Sequence, residues 1–324
     1  MTGIICINKK KDITSFGVVA KVRGVTREKK AGHTGTLDPM ATGVLPVMLG
    51  GATRFLNFIP DSDKRYTASF RLGQTTDTLD ITGEVLSECE VNCTVDEVIN
   101  ALSHFRGVIE QVPPMYSAKS IDGVRLYELA RQGKTVERKP CTVEIKSLQL
   151  LSYNEKTNEY TVDVLCSKGT YIRSLIDDIG RELGVGAVMT ELERTQAMGF
   201  TLDDCVTFDE LQKMRDSGGD FSSALLEIEK VFSCYKRVNV TAAQAKRFFN
   251  GGALDINRIR IKTEPNEICS VYDDKDEFLG LGQNSNGELK VLRVLSKRDY
   301  EPPAIFSASL SSPSSFAAST AMRR

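Results

Sequence analysis

The sequence predicts an α+β protein in two folded parts. Three observations point there. Apolar and alternating strand-like runs are interspersed with cap-marked helices. A β-rich piece stands apart near the C-terminus. The chain has 324 residues, more than one small core needs.

Residues 3–8, GIICIN, read as a buried strand. Thr14 or Ser15 can cap a short helix whose apolar side is Phe16, Val19 and Val22. Residues 31–53 are rich in Gly, Thr and Pro and enclose the apolar run Val44–Leu49, a loop followed by a strand. In 66–72, YTASFRL, strict alternation puts Tyr66, Ala68, Phe70 and Leu72 on one face. Thr94 and Glu97 form a capping box that opens a helix through Leu102.

The stretch 111–141 combines Pro113, Pro114 and Gly123 with a short amphipathic helix ending near Gly133. Such an excursion suits a flap over a ligand or a plain surface loop. Residues 160–166 form another strand. Gly169 leads into a helix with Ile172, Leu175, Ile176, Ile179 and Leu183 on one stripe, and Arg173 lies off that stripe. Boxes at Thr207–Glu210 and Thr241–Gln244 open two more helices, broken by DSGGD (216–220) and by Gly251 and Gly252. Short strands follow around 268–272, 278–283 and 289–295. The tail 301–324, Ser- and Ala-rich, is expected to be disordered or a vector-derived scar.

The globular balance of 41% apolar and 26% charged residues fits a soluble protein. No apolar run approaches the roughly 18 residues that cross a bilayer. The start, MTGIICINKKKD, lacks a signal peptide's apolar stretch and cleavage site. A cytoplasmic location follows as an expectation. Eight scattered cysteines form no CxxC pair, and His33 and His104 are the only histidines, so no metal site is expected. Net charge is −1, yet residues 1–60 carry nine basic against three acidic residues, a net of +6, and residues 111–141 a net of +3. Local patches of this kind suit either phosphate contacts or a solvated face.

The segment Lys30-Ala-Gly-His-Thr-Gly-Thr-Leu-Asp38-Pro-Met-Ala-Thr-Gly-Val-Leu45 is the most unusual. Asp38 precedes a proline in a glycine-rich loop that a ligand can approach closely. A carboxylate there can act as nucleophile or base, or simply hydrogen-bond its own turn. No GxxxxGK[ST] or GxGxxG occurs, so a nucleotide loop is absent. Arg173, in KGTYIRSL (168–175), is free either to hold both oxygens of a carboxylate or to stay on the surface. Tyr66 and Tyr171 can stack on a base or serve as core.

Taken together these segments resemble the TruB family of bacterial tRNA pseudouridine-55 synthases. The form GHTGTLDPMATGVL carries the likeness, with Lys64-Arg-Tyr66, GQTTDTLDITGEV (73–85), QVPPMYSAKSIDGVRLYELARQG (111–133), KGTYIRSL and LERTQAMGF (192–200), over about residues 3–210. One departure is Asn8-Lys-Lys-Lys-Asp-Ile-Thr-Ser15, with Lys10 and Asp12 where the family usually has Pro and Gly.

The resemblance implies a pseudouridine synthase catalytic core at 1–232, built on a mixed, mainly antiparallel sheet flanked by helices. The 111–141 insertion would grip RNA, and a small β-rich PUA-like RNA-binding domain would span 235–298. It implies isomerisation of uridine-55 in the tRNA T-arm stem-loop, by base flipping, without metal or other cofactor, by a monomer. Asp38 is then the catalytic carboxylate, and Arg173 holds it ionised and in position. Tyr66 stacks on the uracil and assists at C5, Tyr171 packs beside it, and Leu192 lines the pocket. His33 wedges the RNA loop, and Lys9 supports the pocket or a phosphate. A guide-RNA-dependent relative resembling dyskerin and a non-catalytic RNA-binding or RNA-folding protein are the alternatives. The bacterial-type insertions oppose the first, and the intact site residues oppose the second.

Overall fold

A computed structural model describes residues 1–121 and 123–295; the tail assigned to 301–324 lies outside the described residues. Ten strands among them form one sheet. Its main path runs Cys205–Val206, Gly3–Lys9, Thr42–Leu49, Ala187–Ala197, Lys64–Leu72, Glu159–Cys166, Cys141–Asn154 and Gly107–Gln111. Two contacts on this path are parallel: Gly3–Lys9 with Cys205–Val206, and Thr42–Leu49 with Ala187–Ala197. The rest are antiparallel, so the sheet is mixed and mainly antiparallel. A second sheet of five strands spans residues 236–294.

Local sequence explains much of this. The strand Lys64–Leu72 buries Tyr66, Ala68, Phe70 and Leu72, as the alternation requires. The capping boxes at Thr94, Thr207 and Thr241 are all formed, opening the helices Val95–His104, Phe208–Asp216 and Ala242–Phe249. In each, the threonine hydroxyl accepts the backbone N–H three residues on, and the Glu or Gln side chain accepts the N–H of the threonine.

Two expectations need correction. The helix Ser15–Thr26 is capped by Thr14, but Phe16 is 72% exposed. The inward stripe is Ser15, Val18, Val19, Val22 and Thr26. Ser15 takes the core-facing place because its hydroxyl binds the backbone of Leu37 at both N–H and carbonyl. Arg173 lies off the apolar stripe of the helix Ile172–Glu182, yet it is only 5% exposed. That helix is buried on nearly every face of its first turns, so the residue beside the stripe is enclosed as well.

The second sheet has its own core around Phe248, Val271 and Leu289. A further apolar cluster joins it to the large sheet, with Ile4, Met48 and Phe55 on one side, Tyr272, Phe278 and Leu281 on the other, and Phe232 between.

Candidate active site

The loop after strand Ala31–His33 is hung from buried side chains. Lys9, wholly buried, donates from Nζ to the carbonyls of Lys10, Pro39 and Ala41. Arg194, 1% exposed, donates to the carbonyls of Gly35, Thr36 and Val44. Ser15 clamps Leu37, and the N–H of Asp12 donates to Pro39. Asp12 has φ 64°, a left-handed conformation that suits glycine and that Asp tolerates better than most residues. The Gly-to-Asp departure from the family pattern therefore falls where the backbone is left-handed, and the turn still binds the loop.

The loop presents Asp38 to Arg173. Arg173 Nε lies 2.9 Å from Asp38 Oδ2, and the carboxylate keeps 32% side-chain exposure against 5% for the guanidinium. The rest of the guanidinium is spoken for. Nη1 donates to the Thr78 carbonyl at 2.9 Å and approaches Asp80 at 3.8 Å, while Nη2 donates to the Tyr116 carbonyl at 2.8 Å. The insertions at 73–85 and 111–141 thus both lock the arginine that faces the acid.

A cleft of about 360 Å³ opens over this pair, within the ~300–1,000 Å³ usual for small-ligand sites. Asp38, Arg173, Tyr66, Tyr171 and Leu192 all line it, joined by Lys64 and by Ser117 and Lys119 of the basic excursion. Tyr171 is fixed by Gln111, whose side chain accepts its N–H at 2.7 Å and donates to its carbonyl at 3.0 Å. Burial pushes the Tyr66 hydroxyl above its ordinary value, so it stays a neutral phenol near neutral pH. Burial, with Arg194 adding, pushes the Lys64 ammonium down to about 8.

Two expected substrate-binding residues are not among the residues lining this cleft. The Lys9 ammonium is enclosed and bonded to three carbonyls, so it supports the loop rather than a phosphate. His33 lies on the short strand Ala31–His33, and its Nδ1 is buried without a hydrogen-bond partner. Burial and then Arg194 push that imidazole down, which leaves it neutral. Part of the N-terminal positive charge is also used within the protein, in the surface pairs Lys10–Asp209 and Lys11–Glu191.

Sequence reasoning passed over Lys64, Arg194, Gln111 and Asp80. Lys64 and Arg194 sit inside the motifs KRY and LERT, which was the available signal. Gln111 and Asp80 likewise sit inside the quoted 111–133 and 73–85 motifs, but the partners that give them a role at the cleft, Tyr171 and Arg173, lie far off in sequence.

The mixed, mainly antiparallel sheet flanked by helices and followed by a small β-rich unit is a pseudouridine synthase fold, on the strength of the family models and the solved structure that match it. A chain of a Cbf5-Nop10-Gar1 complex superposes with TM-score 0.72 at 27% identity, covering 93% of this chain and 87% of that one. The model of the TruB family pseudouridylate synthase N-terminal domain matches residues 23–172. The tRNA pseudouridylate synthase B C-terminal domain matches 173–232, and the pseudouridine synthase II TruB C-terminal model matches 237–295. The tRNA pseudouridine synthase B of Clostridium tetani is 41% identical over 296 residues, 91% of this chain and all of the relative. Those of Clostridium perfringens and Pseudomonas fluorescens are 43% and 42% identical, again over 91% of this chain and over 99% and 96% of theirs. The chain belongs to the TruB family of pseudouridine synthases.

Proposed function

We infer that this protein converts a uridine of tRNA to pseudouridine, at position 55 of the T-arm loop. The observation that carries the reading is the Asp38–Arg173 pair at the base of a cleft lined by Tyr66, Tyr171 and Leu192. Relatives spanning nearly the whole chain carry the name tRNA pseudouridine synthase B, which supports tRNA as the substrate.

The reaction breaks the N1–C1′ bond, turns the uracil, and joins C5 to C1′. The C5 proton leaves and N1 gains one, so the product has the atoms of the substrate and no redox partner or group donor is needed. The target must leave its stack to enter the cleft, at a cost of a few kcal/mol. Stacking on an aromatic offsets about 1–3 kcal/mol of that, and Tyr66 and Tyr171 are the rings available. Asp38 supplies the catalytic carboxylate, by covalent attack on a carbon of the nucleoside or by removing a sugar proton. Arg173, immobilised by the carbonyls of Thr78 and Tyr116, orients it. The buried phenol of Tyr66 fits stacking, with a hydrogen bond toward C5 chemistry. In this reading Lys9 is a positioning residue and His33 touches the RNA loop outside the cleft. The excursion at 111–141 grips RNA, the unit at 235–298 is a PUA-like RNA-binding domain, and the enzyme works as a monomer in the cytoplasm.

The test is incubation of pure protein with an unmodified T-arm hairpin, followed by mapping of pseudouridine. The wild type should isomerise one uridine. Asp38→Ala should abolish the product while hairpin binding stays within a few-fold. An inactive wild type overturns the reading; an active Asp38→Ala variant removes the acid from the mechanism.

A further inference from the structure

Ser117 is the one cleft-lining residue whose side-chain oxygen or nitrogen is, among the described residues, both buried and without a hydrogen-bond partner. The residue is 5% exposed. Buried hydroxyls are normally satisfied, and one left bare costs free energy, so an exception at a binding cleft calls for a reason.

The backbone around it is not free to adjust. The Ser117 N–H donates to Met115 O at 2.9 Å, and Tyr127 N–H donates to Ser117 O at 3.1 Å. One residue earlier, the Tyr116 carbonyl accepts from Arg173 Nη2. Two residues on, the Lys119 carbonyl accepts from the N–H of Leu126. The side chain is thus held at a set place in the cleft wall, on the segment that also locks the arginine facing Asp38. A change of staggered position about Cα–Cβ is what turns its hydroxyl, buried in the free protein, toward the cleft. It can donate or accept.

We propose that Ser117 is a substrate-binding residue whose hydroxyl forms a hydrogen bond with the nucleoside inserted in the cleft. The contacted group is a hydroxyl or carbonyl of that nucleoside, on the sugar or on the base. This inference rests on the reading of the cleft as a uridine site. It also accounts for the bare hydroxyl of the free protein, since the ligand completes it. A hydroxyl kept unpaired in the free protein makes a distinctive forecast: its removal stabilises the fold and weakens the reaction.

Ser117→Ala should therefore lower kcat/KM on a T-arm hairpin by about 3- to 10-fold, the worth of one neutral hydrogen bond. Its melting temperature should equal or exceed that of the wild type. A purely structural serine would show the reverse, lower melting with a proportional loss of active protein. Binding then separates base from sugar. In the Asp38→Ala background, the affinities of a uridine hairpin and of one abasic at the target are measured with and without Ser117→Ala. Weakening on the uridine hairpin alone assigns the contact to the base, and weakening on both assigns it to the sugar. Unchanged kcat/KM, unchanged affinity on both hairpins, or a lowered melting temperature each overturns the proposal. An inactive wild type overturns the functional reading itself, which Ser117→Ala alone cannot do.

Discussion

At the scale of single residues, Lys64 offers the sharpest probe of the cleft. Its ammonium shares the cleft with Asp38 and Tyr66 and lies close to the loop at Gly35. Burial and Arg194 push it down to about 8. Below that pH the cleft holds a cation for RNA, and above it the cation is lost. Activity at low substrate should therefore fall, by a few-fold, as pH rises from about 8 to 9.5. Lys64→Arg keeps its charge and should flatten that decline; an equal decline in the variant would assign the titration elsewhere. The stability effect runs the other way. Between about 8 and its ordinary 10.5, the folded protein holds fewer protons at this site than the unfolded chain. Higher pH across that window thus favours folding through this group. Five of the seven residues that sequence marked, Asp38, Arg173, Tyr66, Tyr171 and Leu192, meet in one cleft because family motifs carry them. Lys9 takes the first of the two uses the sequence left open, support of the loop, and His33 lies outside the cleft lining; burial decides what a cation or imidazole can touch, and burial is a property of the whole fold.

At the scale of elements, the join between strands Thr42–Leu49 and Ala187–Ala197 holds the active loop. Gly43 pairs with Arg194 there in parallel register. Its φ is +97°, and a Cβ would stand 2.2 Å from the Arg194 carbonyl oxygen. No flexible side chain can yield, because the obstacle is backbone on a central strand. Gly43→Ala should destabilise the protein by more than the ~1–3 kcal/mol of a strained backbone, read as a lower urea midpoint. It should also cut turnover, since Arg194 would be displaced from the carbonyls of Gly35 and Thr36. A midpoint within error of the wild type would refute this view of the join. Helix starts were legible here because a capping box is a local device of four residues. The strand Ala187–Ala197 was far less so. Its run Thr-Glu-Leu-Glu-Arg-Thr-Gln looks like surface, yet it lies inside the sheet between two neighbours. Two of its polar side chains find remote partners: Arg194 the loop carbonyls of Gly35 and Thr36, and Thr190 the Glu159 carboxylate. Phe16 errs the opposite way, an apolar residue left outside because Ser15 has a backbone to hold.

At the scale of the molecule, the run of short strands near the C-terminus marks the β-rich unit but conceals how it is attached. Phe55, Phe232 and Phe278 form a triangle with ring centroids 5.7, 6.1 and 6.0 Å apart. One ring comes from the large-sheet region, one from the connecting segment and one from the second sheet. Phe278 is 4% exposed and also meets Tyr272 edge-on, with centroids 5.5 Å apart. Independent units would melt separately. A shared aromatic core couples them, because opening either sheet exposes the same rings to water. Phe278→Ala should cost about 3–5 kcal/mol. The loss should appear both in the large sheet, which holds the cleft, and in the unit that contains the mutation. Amide hydrogen exchange on strands Gly3–Lys9 and Ile268–Tyr272 reads the two together. Faster exchange in both would show that the second sheet buttresses the catalytic one. If only Ile268–Tyr272 loses protection, the triangle is a passive contact and the unit is an appendage to an autonomous core.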